Sequence, residues 1–199
     1  MEYNRHGMRW RWWWLMVAWS VVGLAVPTWA YEELILNAKE GEVNTQYPAY
    51  LVTVPNASGY QSHQAIEFSP TLSGACYVWH RILPVTYSGE MGAILLWYPT
   101  TTSTDIGKFV LAVGCTAVGE SLLGTVLYGG TVITLTGGGT TGVLTATTNT
   151  TAGLLDEVSC AAGEVMSLEL CRQDLAASTL TVRIPAITIR YPCSGGSCP

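Results

Sequence analysis

The chain has 199 residues, of which 12% are charged, and nine Lys and Arg stand against fourteen Asp and Glu for a net charge of −5. That length holds one domain of ordinary size with a real core. The acidic balance, with no clustered Lys or Arg, argues against a nucleic-acid surface and against binding an anionic membrane through basic contacts.

Residues 1–30 read as a secretory signal. Arg5, Arg9 and Arg11 make a positive start, and residues 12–26 are apolar and uncharged. Pro27 breaks the run, and Thr28 and Ala30 put small residues at the −3 and −1 positions of a cleavage site. The alternative is an uncleaved anchor, because residues 12–30 approach the roughly 20 apolar residues that span a bilayer. The membrane is expected to matter only through this segment. From Tyr31 onward six basic residues face thirteen acidic ones, a net charge of −7. Thr, Ser and Gly supply the remaining polarity. So little charge gives copies little reason to repel, and a homo-oligomer or homopolymer is expected.

All six cysteines follow the signal: Cys76, Cys115, Cys160, Cys171, Cys193 and Cys198. An even count in an exported chain reads as disulfides. Six cysteines allow about 15 pairings, and the sequence does not choose among them. Cys193 and Cys198 enclose Ser-Gly-Gly-Ser, which makes a small terminal loop the simplest guess. No paired spacing of zinc ligands is present, so no metal is expected.

In chain order, residues 31–48 are acidic and weakly patterned and read as an N-terminal arm, with 34–36 as a short strand. Residues 50–54 (YLVTV) are a strand by β-branched content. Residues 55–59 are a turn, and 63–68 are the next strand. Residues 75–83 and 92–98 are long apolar, aromatic strands around a loop with Pro84 and Gly89. Their blurred alternation means that both faces meet something, and the two are read as a joined pair at the centre of the body. Residues 108–115, 131–136, 143–148, 164–173 and 180–191 are further strands. In 164–173 the side with Met166, Leu168 and Leu170 looks inward. Pro185 interrupts the last strand, so a bulge or an edge is expected there. Residues 193–199 are a Gly/Ser tail. Eight to ten strands without a convincing long helix signify an all-β fold, here a two-sheet jelly-roll-like β-sandwich over residues 49–192, with an immunoglobulin-like sandwich second.

The order of motifs supports this. Ala65-Ile66-Glu67-Phe68 is followed by Ile82-Leu83-Pro84, Leu95-Leu96-Trp97 and Gly119-Glu120-Ser121-Leu122. A closing Leu168-Glu169-Leu170-Cys171-Arg172-Gln173-Asp174 leads to Ile187-Thr188-Ile189-Arg190-Tyr191. Over residues 65–191 the chain resembles a diffuse group of jelly-roll surface or decoration-type structural proteins of phages, prophages and environmental bacteria. That resemblance implies a structural role and supplies no catalytic residues.

Candidate chemistry is sparse. His63 and His80 lack metal-type spacing, and His80 reads as a partly buried histidine satisfied by hydrogen bonds. No GxSxG turn exists for a serine nucleophile. Glu90, Glu120, Asp105, Asp156 and Glu157 are scattered loop acids. They are candidates for a glycosidase pair or, for Asp105, Asp156 and Glu157, a calcium loop. No enzyme activity and no cofactor are expected. Trp79, Trp97 and Tyr98, with Tyr77 and Tyr87, are either core or an aromatic platform for sugar rings, with core preferred. Asn56 and Asn149 stand in glycosylation sequons. The expected function is a secreted, self-assembling structural protein, as a filament, surface-layer or virion surface subunit. A carbohydrate-binding or adhesive module is the alternative, and a secreted glycan hydrolase comes after it.

Overall fold

The computed structural model describes residues 31–43, 49–55, 62–70, 74–89, 91–121, 128–138, 140–149, 160–173 and 178–192. The segment read as a signal and the Gly/Ser tail lie outside them. The described residues form eleven strands: β1 (Tyr31–Asn37), β2 (Glu42–Val43), β3 (Tyr50–Pro55), β4 (Ser62–Phe68), β5 (Cys76–Ile82), β6 (Gly92–Pro99), β7 (Ile106–Thr116), β8 (Tyr128–Thr136), β9 (Thr145–Asn149), β10 (Val165–Arg172) and β11 (Val182–Pro192). One turn of 3-10 helix, Ala38–Glu40, follows β1.

The first sheet has the order β3-β4-β11-β6-β9, with β1 also lying along β11. The second has the order β2-β5-β10-β7-β8. Four antiparallel pairs explain both orders: β4 with β11, β5 with β10, β6 with β9, and β7 with β8. The chain is thus a long double ribbon closed at its β7–β8 end. Successive pairs fall in alternate sheets, which is jelly-roll wrapping. The expected fold class is the observed one.

Two expectations about local order change. β5 and β6 are not a joined pair, because they lie in opposite sheets. Tyr77 and Trp79 point inward from one side, and Ala93, Leu95 and Trp97 from the other; all five are buried. Leu83 extends the β5–β10 ladder through Leu83 N–H to Glu164 O and Gly163 N–H to Leu83 O. Tyr87 then packs edge-on against Tyr191 as the chain crosses over. The apolar residues on both strands look alike in sequence, whether the strands pair or lie in different sheets.

The N-terminal segment is not a free arm. β1 pairs with β11 along its whole length, from Tyr31 opposite Pro192 to Asn37 opposite Ala186. The 3-10 turn is clamped from beneath by the polar tips of two core aromatics. Trp79 Nε1 donates to Asn37 O at 2.9 Å, and the single Tyr77 hydroxyl proton is shared between Ala38 O at 2.6 Å and Gly41 O at 2.9 Å. Gly41 is required by this approach, since a Cβ there would lie 2.3 Å from Tyr77 Cε1. Glu40 accepts from Asn37 N–H and pairs with Arg81. The Asn37 amide, and then Arg81, hold its carboxyl below the ordinary glutamate range.

Pro185 sits where β11 changes partner. Val182, Arg183 and Ile184 pair with β4, and from Ala186 onward β11 pairs with β1. The register against β6 shifts between Arg183 and Ala186. The missing N–H therefore falls at a junction between ladders, with the bulge the sequence anticipates.

The core also holds a cation. Arg172, fully buried at the end of β10, donates through Nη1 to Phe68 O at 2.8 Å and Leu180 O at 2.7 Å, and through Nη2 to Ser178 Oγ at 3.2 Å. Its guanidinium lies over the Phe109 ring at 5.8 Å. One planar fork thus ties the second sheet to the end of β4 in the first.

Candidate functional site

The outward side of the first sheet carries the most developed surface chemistry among the described residues. Directly opposed residues of an antiparallel pair share a face. Tyr50 on β3 opposes Glu67 on β4, Glu67 opposes Arg183 on β11, and Arg183 opposes Tyr98 on β6. These four side chains form one row across four strands, about 14 Å at normal strand spacing. Arg183 holds Glu67 through Nε at 2.8 Å and Nη2 at 2.7 Å, a two-point contact. Both are about one quarter exposed. Tyr98 is 6% exposed and its hydroxyl meets His63 Nε2 at 2.9 Å. Burial pushes the Tyr98 phenol up, with the Arg183 charge pulling the other way. Tyr50 is 50% exposed at the outer end of the row.

Beyond this row the face is mostly apolar. Val52, Ala65, Leu96 and Ala186 follow, then Ile94, Thr188 and Ile35. A second ion pair closes the far end, where Arg190 Nε lies 2.6 Å from Glu33. Arg183 and Arg190 are seven positions apart on β11, roughly 20 Å along the strand. Of the residues between the two pairs, Ala65, Ala186 and Thr188 are buried, Val52, Ile94 and Leu96 are half-buried and Ile35 is exposed. The face therefore carries an ion pair at each end, half-buried aliphatic side chains between them, and an exposed tyrosine beyond each pair, Tyr50 at one end and Tyr31 at the other.

The other predicted site residues lie elsewhere. Trp79 and Trp97 are core residues, 0% and 3% exposed. Trp97 Nε1 donates to Thr147 Oγ1 at 2.8 Å. The platform of Trp79, Trp97 and Tyr98 therefore does not form. Two of the rings face inward, and the third lies flush in the sheet with its hydroxyl engaged. The aromatics that do stand out on this side are Tyr50, which the sequence reading passed over, and Tyr31 on β1, which is more exposed still. The signal for Tyr50 was the alternation of Tyr50, Val52 and Val54 on an edge strand.

Cys76 is bonded to Cys171, directly opposite on β10, and Cys115 is bonded to Cys160. Cys193 and Cys198 lie outside the described residues. Cys76, Glu169 and Cys171 are the one grouping of metal-type side chains among the described residues, and its two sulfurs are spent on each other. Asn56 lies outside the described residues, and Asn149 ends β9 opposite Ala93.

His80 is exposed rather than partly buried, and its Nδ1 meets Ser167 Oγ at 2.9 Å. This serine–histidine contact sits on the flat outer face of the second sheet. β10 has a strand on each side there, so its amides serve the ladders with β5 and β7. An oxyanion site needs amides aimed at one point outside a ladder. The acids are also engaged. Asp105 accepts from Thr179 N–H and Oγ1 at 2.7 Å each, and these bonds hold its carboxyl below the ordinary aspartate range. Glu120 accepts from Ala117 N–H at 3.4 Å. Glu90, Asp156 and Glu157 lie outside the described residues. Among the described residues no helix is long and apolar enough to cross a membrane.

No protein-family model matches the sequence, and no curated protein matches it. Solved structures do. The mosquito-larvicidal Cry4Aa toxin of Bacillus thuringiensis superposes with a TM-score of 0.51 at 12% identity, over 80% of this chain and 23% of the toxin. A family 35 carbohydrate-binding module from Clostridium thermocellum gives 0.49 at 12% identity, over 79% of this chain and 97% of the module. The xylan-binding module CBM15 gives 0.44 at 11% identity, over 81% of this chain and 96% of that one. At such identity the likeness concerns the fold alone.

Proposed function

We propose that this chain is an exported, non-catalytic module that binds a glycan on the outward face of its first sheet. The row Tyr50–Glu67–Arg183–Tyr98, with half-buried aliphatic side chains beside it, carries the reading. A pyranose ring has an apolar C–H face and an equatorial rim of hydroxyls. The Tyr50 ring and the half-buried Val52 and Leu96 side chains suit the first. The Glu67–Arg183 pair, held rigid and partly exposed, offers acceptors and donors to adjacent hydroxyls. Each Arg on the face is matched by a Glu, so a neutral polysaccharide suits it better than a polyanion. The two disulfides fit an extracellular setting.

This reading takes the alternative over the filament and virion roles, which have no specific support on the surface described. The test is affinity electrophoresis of the secreted chain through gels holding neutral plant and microbial polysaccharides. At least one is expected to retard the protein, and Tyr50→Ala is expected to remove the retardation with an unchanged melting temperature. A chain that runs unretarded through every gel refutes the reading. Retardation that survives Tyr50→Ala in full moves binding off this face.

A further inference from the structure

The outer edges of the two sheets are not equally guarded. An edge strand exposes unpaired N–H and C=O groups, and proteins blunt such edges with short length, proline or charge. β2 has two residues, β9 has five, and β3 ends in Pro55. β8 has none of these guards. It is nine residues long, reads YGGTVITLT and contains no charge and no proline. Among the described residues it is the last strand of its sheet, with β7 on one side. From Thr131 to Thr136 it runs in unbroken register against Leu111 to Ile106, and the irregularity comes only beyond Leu111. The stretch is mostly β-branched, and Val132 on its outward face is 53% exposed.

We infer that β8 pairs with β8 of a second copy of this chain, antiparallel about a two-fold axis at Ile133. The strand itself argues for a copy over a foreign segment. An isologous contact sets each edge against itself, so an edge guarded by charges of one sign would bring those charges together. An uncharged edge escapes that penalty. Centring on Ile133 keeps inward residues opposite inward ones. It sets Val132 opposite Thr134 of the second copy and joins two five-stranded sheets into one of ten. Both first sheets then lie on the same side of that joined sheet with their outward faces turned the same way, so two glycan faces would act on one polymer and gain avidity. The dimer does not depend on the glycan reading.

Analytical ultracentrifugation of the secreted chain at about 100 µM tests it. The wild type is expected to be a dimer. V132K/T134K sets lysines opposite each other across the axis twice, and is expected to be a monomer. V132K/T134E sets a lysine against a glutamate at the same positions, with the introduced carboxylate also beside Lys108 of its own chain, and is expected to remain a dimer. Thermal melts confirm that both variants fold. A monomeric wild type overturns the proposal, as does a dimer that survives V132K/T134K or is lost equally in both variants. Retardation in polysaccharide gels is read separately, so its failure leaves the dimer result standing.

Discussion

The two outward faces of this sandwich have the same architecture and different chemistry. Across the second sheet the outward residues are tied to each other. Cys76 is bonded to Cys171, and His80 meets Ser167. Across the first sheet polar groups gather at the ends, Glu67 with Arg183 and Glu33 with Arg190, with apolar residues between them. One face spends its chemistry on bracing its own strands. The other sets exposed Tyr50, Tyr31 and Ile35 beside two fixed ion pairs, aromatic and aliphatic groups next to charged donors and acceptors. A fold alone does not assign function. The contrast between two faces of one fold does more, because the body they share is the same.

That contrast can be broken in several ways. The largest effect is expected on the braced side. Removing the Cys76–Cys171 bond with C76S/C171S frees a loop closed over 95 positions. The cost is about 4.7 kcal/mol in chemical denaturation on the chain-entropy view. Glycan retention should not change. A double variant that keeps full stability would show that the second face braces nothing.

Arg172→Met should cost about 3 kcal/mol, because the buried carbonyls of Phe68 and Leu180 lose their donor. It too should leave glycan affinity intact in calorimetry. A loss of binding at full stability would place function in the core and not on a face.

On the first face the order reverses. Tyr50→Ala should move stability by no more than about 0.5 kcal/mol, as for an exposed edge residue. It should weaken glycan binding about tenfold, about 1.4 kcal/mol. A destabilised variant with normal binding would swap the roles of the two sides.

The smallest effect is at the turn before β7. The bonds from Thr179 lower the Asp105 carboxyl relative to its value of 3.8 in the unfolded chain. A lowered folded value stabilises only while the group is ionised. The contribution is therefore complete above the ordinary aspartate range, and is lost as the pH falls through the depressed value. Asp105→Asn should flatten the acid limb of the stability curve and leave neutral-pH binding alone. An acid limb steeper than wild type would contradict the sign.

Much of the fold was legible before any coordinates. Strand runs, the inward side of β10 at Met166, Leu168 and Leu170, and the bulge at Pro185 follow from period and from proline's missing donor. The separation of β5 and β6 into opposite sheets did not follow, because apolar strands read alike whether they pair or lie in different sheets. The docking of β1 was hidden for another reason. It depends on the Trp79 and Tyr77 tips reaching 36 to 42 positions back to Asn37, Ala38 and Gly41. Nothing in the sequence marks Arg172 as buried, because its acceptors, Phe68, Leu180 and Ser178, come from other segments. The candidate site was least legible. Tyr50, Glu67, Arg183 and Tyr98 are spread over most of the chain, and only strand register puts them in one row.

The central claim is that the outward side of the first sheet takes a sugar polymer. An amide-resolved NMR titration of the secreted chain with a soluble oligosaccharide, taken from whichever polysaccharide it retains, tests this most directly. The account predicts shifts confined to β3, β4, β11 and β6 around Tyr50, Glu67, Arg183 and Tyr98. Shifts gathered around His80 and Ser167, or at the loops joining the sheets, would contradict it.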